Sequence, residues 1–508
     1  MPTLRRLFGR VTPRLGETDV ADARRLADAE QASGGEIAGC ARLDARTIDD
    51  LDLGLVFRAI DRTASVIGAQ ALWRWLTAPA ARADVLVERE QKLAVVSEPA
   101  VRDRICAEVA GSPAADAPFL PRLLWEEPAP PRPATLSIVL VTALAACLVL
   151  APWYPALVLA AVTFGGVGIA IDTLSRQQLA EQAYALDVLG RALDAAHALS
   201  RALPEALAGG IRADLVARAA LHKRLLVLRV KDPFDVIEAA RAALQIRYFA
   251  IRSCMKLVDR ERDRLRRIVL WLGELDALAS IARLRGERAG TRVAELAPPG
   301  AGVTVAGLVH PVIERAIGND LELAGAGLLI TGSNMSGKST FLRTLAINAI
   351  LAQSIHTTFG SWRGPLLRVR AVMRIGDDIA TGMSTYAVEV AAVGELVTAA
   401  SDPDAPRTLF VLDEPFHGTN PTIRVPIVVS VLEYLATRGL VVAATHDLDV
   451  ATRLDARFAR GYFAELPEGG FDRTLHAGVA PSTNAIELLA RAGYPAAILE
   501  RVACYERS

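Results

Sequence analysis

The stretch Leu328-Leu-Ile-Thr-Gly-Ser-Asn-Met-Ser-Gly-Lys-Ser-Thr340 decides the fold of this chain. Its first four residues form a short apolar run that predicts a buried strand, and an apolar-faced helix is expected over 338–352. Between them, Gly332-Ser-Asn-Met-Ser-Gly337-Lys338-Ser339 matches G-x-x-x-x-G-K-[ST] at every position. The glycines let the backbone wrap so that successive N–H groups point inward at phosphoryl oxygens. The start of the helix adds the positive end of its dipole. Lys338 would neutralise the β- and γ-phosphates of a nucleotide, and the Ser339 hydroxyl would ligate Mg²⁺.

Working outward, Thr408-Leu-Phe-Val-Leu-Asp413 is an apolar strand that ends in two carboxylates, Asp413 and Glu414. Behind a phosphate loop, the first suits a metal ion and the second can polarise an attacking water. A further buried strand is expected over 440–444, with His446 just beyond it in Ala444-Thr-His446-Asp447. At that end of an open sheet a histidine can donate to the γ-phosphate and sense its loss. Short apolar strands alternating with helices after Pro298-Pro299-Gly300 indicate an α/β domain over 300–508 with a largely parallel sheet. Near its end, 460–465 and 473–476 flank Glu468-Gly-Gly470 as a hairpin, and a helical tail runs from about Thr483.

Composition narrows the remainder. The chain has 508 residues, enough for several domains, and its 52% hydrophobic content excludes a disordered polymer. Basic and acidic residues number 57 each, so whole-chain charge gives no support to a nucleic-acid coat protein. Five cysteines without a C-x-x-C pair indicate neither a disulfide framework nor a zinc site. Only five of the basic residues are lysine, so a lysine that persists, Lys338 above all, marks a place where a compact ammonium is needed.

Upstream of the α/β domain the sequence is helical. Residues 1–40 form a basic amino-terminal arm, and 41–131 a helical segment closing in a Pro-rich linker. No charge occurs from Pro133 to Ile171, and Pro152-Trp-Tyr-Pro155 divides that run into two helices over 135–151 and 156–171. Basic residues outside and aromatics at the turn suit a transmembrane hairpin, within 132–173, whose two ends are cytoplasmic. A hairpin buried in protein is the alternative. Residues 174–299 are Ala-, Leu- and Arg-rich with few breakers, which predicts long levers, including one over 239–284 with a single break.

The motifs resemble the ABC-class ATPase domain of the MutS DNA mismatch-repair family. Thr331-Gly-Ser-Asn-Met-Ser-Gly-Lys-Ser-Thr340 is similar to that family's T-G-P-N-M-[GS]-G-K-S-T, and Asp413-Glu414 with Gly418-Thr419 to its D-E-x-x-x-G-T. Ser384-Thr-Tyr-Ala-Val-Glu389 resembles the family's S-T-F-x-x-E. The resemblance implies ATP and Mg²⁺ as ligands, bound through Gly332, Ser333, Asn334, Met335, Ser336, Gly337, Lys338, Ser339 and Thr340. It implies a homodimer in which Ser384 and Thr385 open a helix facing the nucleotide of the other subunit. Ile60-Asp-Arg-Thr63 with Gly68, and Glu274-Leu-Asp-Ala-Leu-Ala279, resemble the beginning and the return of the family's lever and core domain. The expected whole is therefore an α/β P-loop ATPase domain preceded by an all-α lever/core domain carrying an inserted apolar hairpin.

The likeness has limits. The amino-terminal part leaves no room for mismatch-reading and connector domains, and Phe463-Ala-Glu465, which spells the family's Phe-x-Glu, falls in the C-terminal hairpin. Asp413-Glu-Pro-Phe-His417 stands where the family has D-E-I-G-R. By resemblance the protein is an ATP-switched homodimer acting in mismatch repair or on mismatched or branched DNA, its ATPase held at the inner face of the cell membrane. The alternative is a membrane-tethered ABC-type ATPase acting on a protein or lipid partner without DNA. No LSGGQ-like helix start precedes Asp413, which counts against a transporter.

Overall fold

The computed structural model describes residues 19–34, 37–111, 120–126, 134–229, 235–333, 336–373, 385–402, 406–466, 470–480 and 493–506. The chain divides into two compact units, one of residues 1–36, 61–74 and 91–283, the other of residues 37–60, 75–90 and 284–508.

The first unit is helical. Helix α1 (Val66–Thr77) crosses the long helix α5 (Arg262–Glu287) at two glycines. A Cβ on Gly273 would lie 2.8 Å from the Ile67 carbonyl oxygen, and one on Gly68 2.1 Å from Asp276 Oδ2. Such contacts let the two backbones approach more closely than any larger side chain permits. Asp276 is wholly buried and accepts from the Ala64 amide at 2.9 Å and the Ser65 hydroxyl at 2.6 Å, and that hydroxyl in turn accepts from the Gly68 amide at 3.0 Å, which caps the start of α1. The Ile60–Gly68 and Glu274–Ala279 segments, 212 residues apart at the Ala64–Asp276 bond, thus form one joint.

The apolar run folds into α2 (Ala134–Leu150) and α3 (Leu157–Leu174), packed through Leu144, Cys147 and Ala161. Gly168 of α3 lies against Ala243, and Gln245 Nε2 donates to the Gly168 carbonyl at 2.7 Å. The outward residues Val139, Val149, Trp153, Tyr154, Leu159 and Val162 are exposed. Among the described residues only Leu157–Leu174 has the length and apolarity to cross a membrane; the apolar part of the first helix, Thr135–Leu150, is too short. Where the sequence leads to a pair of spanning helices, one of membrane length is found among the described residues.

Helix α4 (Arg176–Ala202) buries Leu186, Leu189 and Leu193, while Arg267 of α5 grips Asp214 through two bonds of 2.8 and 2.6 Å. The lever expected over 239–284 is broken twice, at Gln245 and at Glu261. Gln245 takes φ 53°, a left-handed conformation that no α-helix sustains, and uses its amide to satisfy the Ala242 and Gly168 carbonyls there. Part of the Pro-rich stretch is also structured: Leu120–Leu124 is a short helix with Leu120, Leu123 and Leu124 buried.

The second unit is α/β. Its strands are β1 (Thr291–Val293), β2 (Glu295–Leu296), β3 (Val303–Leu308), β4 (Asn319–Leu323), β5 (Gly327–Thr331), β6 (Thr357–Phe359), β7 (Ser361–Gly364), β8 (Arg368–Val372), β9 (Thr408–Asp413), β10 (Gly439–Thr445), β11 (Phe458–Glu465) and β12 (Phe471–Ala477). Six form the main sheet in the order β12-β11-β5-β10-β9-β8. All neighbours are parallel except β11 and β12, the expected terminal hairpin. Burial on both faces explains why β5 and β10 read as unbroken apolar runs. Helices α6 (Lys338–Ser354), α7 (Thr385–Ser401) and α8 (Pro421–Ala436) follow β5, β8 and β9. A smaller sheet runs β2-β7-β3-β4, and β1 pairs with β6.

The edge strand β8 is covered by the chain's own early residues. Thr47 Oγ1 accepts from the Ala371 amide at 3.1 Å and Asp50 Oδ2 from the Met373 amide at 2.9 Å. Side chains of a short helix (Ala45–Asp50) thereby complete a ladder that would otherwise present bare amides. The expected tail lies partly outside the described residues; its described helix is Ala496–Glu506.

Candidate functional site

Register places the motifs together. In the main sheet β10 lies between β5 and β9, pairing Thr445 with Thr331 and Ala444 with Asp413. The loop after β5, the carboxylates that end β9 and the histidine after β10 therefore emerge side by side. This is the carboxyl edge of a parallel sheet, where such folds bind ligands.

Gly332 and Gly337 adopt φ 137° and 114°, conformations that require glycine and turn the loop from strand into helix. Lys338 opens α6 and is 4% exposed. Its Nζ donates to the carbonyls of Gly332 at 2.8 Å and Ser333 at 2.7 Å, so the ammonium braces the loop that precedes it. Nζ also lies 3.7 Å from Glu414 Oε1. Burial lowers the Lys338 pKa, against the opposing pull of Glu414 and Asp413. Ser333 turns its hydroxyl to Glu465 Oε1 of β11, 2.6 Å away, leaving its backbone to face a ligand. Thr340 is exposed. Asn334, Met335 and Ser384 lie outside the described residues, and Thr385 is the first residue of α7.

Asp413 accepts a bond from the Ser339 side chain, yet burial still raises its pKa, with Glu414's charge adding to the effect. Its Oδ1 is buried with no hydrogen-bond partner, and so is the Ser336 hydroxyl in the loop. A buried oxygen left unbonded beside a serine hydroxyl is a costly arrangement in a protein and a suitable one for a hard divalent cation. The residues present fit Mg²⁺.

Glu414 follows the strand at φ 49°, a strained conformation for a residue with a side chain. The turn is held because the Glu414 amide donates to the Ala444 carbonyl at 2.9 Å. It aims the carboxylate at His446, whose Nδ1 is 2.7 Å from Glu414 Oε2. Burial would push the Glu414 carboxyl up, but the bond to His446 and the charges of His446, Lys338 and His417 outweigh it and hold the pKa below the usual range. The same bond raises His446. Glu414 and His446 thus form a coupled hydrogen-bonded pair, each favouring the charged form of the other. Asp447, next in the chain, accepts from Arg424 Nε at 2.8 Å and adds to the rise of the His446 pKa by its charge.

The segment opening α7 also reaches the site. Glu389, 3% exposed, accepts from the Gly418 amide at 3.1 Å, tying that helix to the loop after Glu414. Sequence reasoning did not assign Glu389 or Glu465 a place here. For Glu389 the signal was its position at the end of the S-T-x-x-x-E segment; for Glu465 there was none.

The family model described as MutS domain V matches residues 328–504. This region is similar to the ATPase domain of the MutS superfamily. The chain is 30% identical over 284 residues to DNA mismatch repair protein MutS 2 of Halobacterium salinarum, covering 53% of this chain and 32% of that protein. It is 32% identical over 282 residues to DNA mismatch repair protein MutS of Chloroflexus aurantiacus, covering 49% and 28%. With the Thermus thermophilus protein of the same description it shares 32% identity over 252 residues, covering 48% and 30%. The chain thus spans about a third of the length of the curated relatives it matches. The matched residues include the phosphate loop, the strand-end carboxylates and the histidine.

Proposed function

We propose that the protein is an ATP-binding and ATP-hydrolysing homodimeric switch. The carrying observation is the cluster of Lys338, Asp413, Glu414 and His446 at the ends of three adjacent parallel strands, beside a glycine-turned loop. Backbone amides from 332 to 337 would receive the phosphates, with Lys338 releasing its loop carbonyls to pair with the β- and γ-oxygens. Ser339 and Asp413 would hold Mg²⁺, which when bound neutralises charge developing on the phosphoryl oxygens. Glu414 would orient and deprotonate the attacking water, and His446, paired with it at rest, would turn its proton toward the γ-phosphate. Thr385 and Ser384, at the head of α7, would complete the site of a second subunit, so that ATP joins two copies and hydrolysis releases them.

The names of the matched relatives support action on DNA, in mismatch repair or on mismatched or branched duplexes. The one membrane-length helix among the described residues supports the second reading, an ATPase tethered to the inner face of the membrane that acts on a protein or lipid partner. Glu414→Gln tests the mechanism. The variant should bind ATP and dimerise but turn over on the order of 10²–10⁴ more slowly, the usual worth of general-base catalysis. Wild-type turnover would remove Glu414 from the role, and a variant that stays monomeric in saturating ATP would remove the shared site. ATPase stimulation by branched or mismatched duplex, steeply reduced by salt, separates the DNA reading from the lipid or protein one.

A further inference from the structure

We infer that Glu414, His417 and His446 form a binding site for a borderline transition-metal ion of the Zn²⁺ class, distinct from the Mg²⁺ position at Ser339 and Asp413. One ligand atom from each of the three lies within 4.8 Å of the others. Glu414 Oε2 is 2.7 Å from His446 Nδ1 and 3.6 Å from His417 Nδ1. Ligands about 2.0–2.2 Å from a tetrahedral ion sit roughly 3.4 Å from one another, so these separations need only small adjustments to close on one.

The backbone prepares this arrangement. Phe416 takes φ 62°, the second left-handed residue in three after Glu414, and this tight turn brings His417 back over the carboxylate it follows. The two imidazoles meet edge to face with centroids 5.4 Å apart. Arg424 supports both walls, donating to the His417 carbonyl at 3.5 Å and to Asp447 beside His446. Side chains of Glu414 and His446 are about a quarter to a third exposed and that of His417 61%, so an ion has an open path and a position left for water.

Two nitrogens and one carboxylate oxygen select the ion. Imidazole suits Zn²⁺, Co²⁺ and Ni²⁺, whereas Mg²⁺ seeks oxygen ligands. Lys338, 3.7 Å from the other Glu414 oxygen, opposes a cation held by charge alone and favours one held by nitrogen donors. The ion replaces the proton shared between Glu414 and His446 and occupies the carboxylate oxygen that would otherwise face water. This second consequence, loss of ATP turnover, rests on the role proposed for Glu414; the binding itself does not.

Co²⁺ alone, titrated into the nucleotide-free full chain, is the test. One equivalent should give the visible d–d absorption of a low-coordinate nitrogen and oxygen site without a thiolate charge-transfer band, and Zn²⁺ should displace it. His417→Ala should weaken Co²⁺ binding at least about 100-fold, since loss of a direct ligand exceeds the effect of losing an outer one. The midpoint for Zn²⁺ inhibition of ATP turnover should rise by the same factor. No absorption from the wild-type chain, a thiolate band, or undiminished affinity in His417→Ala would overturn the site. Zn²⁺ bound with the predicted spectrum and ligand dependence but without effect on turnover would uphold the site and refute the role of Glu414.

Discussion

Replacing Asp276 by asparagine should change how the stability of the helical unit depends on pH. The carboxyl is completely buried at the joint between α1 and α5. Burial raises its pKa from 3.8 to about 6, against the bonds from Ser65 and Ala64, with Asp61 adding to the rise. Between those values the folded chain retains a proton that the unfolded chain has released. The stabilisation is therefore complete below about pH 4 and is lost as pH climbs through 6, after which it is flat. A rise of roughly two pH units at about 1.4 kcal/mol each amounts to about 3 kcal/mol. Asparagine keeps an acceptor for the Ala64 amide and cannot ionise, so the loss should disappear.

Urea unfolding of both full-length proteins at pH 4 and pH 7, followed by far-ultraviolet circular dichroism, isolates the difference because other titrating groups cancel. Relative to wild type, Asp276→Asn should gain about 3 kcal/mol between the two conditions, somewhat more if Asp61, whose pKa burial also raises, relaxes with it. A difference that stays constant across the range would refute the buried-carboxylate reasoning.

Two other outcomes are expected. Gly68→Ala should destabilise the chain by about 1–3 kcal/mol in the same unfolding assay, since the new methyl meets a carboxylate already fixed by three bonds; a neutral result would show that the α1–α5 crossing can open. The full chain should float with phospholipid vesicles and resist carbonate extraction, and Val167→Arg, near the middle of α3 on its exposed side, should weaken that insertion by about 2.5–3.5 kcal/mol; a chain that stays in the supernatant without detergent would remove the membrane reading.

The phosphate loop, the strand-end carboxylates and His446 were legible in the sequence because their chemistry is local. A glycine pattern, an apolar strand and a polar residue at its end each fit within ten residues, and β9 runs over Thr408–Asp413 as expected. The terminal hairpin was legible for the same reason. Interactions spanning distant segments were not. Nothing near Thr47 or Asp50 announces that they finish the edge of a strand more than 320 residues away. The bond from Ser333 to Glu465 depends on β11 lying beside β5, which nothing in Phe463-Ala-Glu465 announces. The left-handed turn at Gln245 defeats a helical pattern because its stabilising partner, the Gly168 carbonyl, belongs to the apolar hairpin.

Calorimetric titration of the full-length protein with MgATP tests the central claim most directly, by comparing wild type with Lys338→Ala. The account predicts one nucleotide per chain for wild type and an affinity about 10- to 100-fold weaker for the variant, the worth of a lost charge-assisted bond to phosphate. No heat from wild type, or equal affinities for the two proteins, would contradict it.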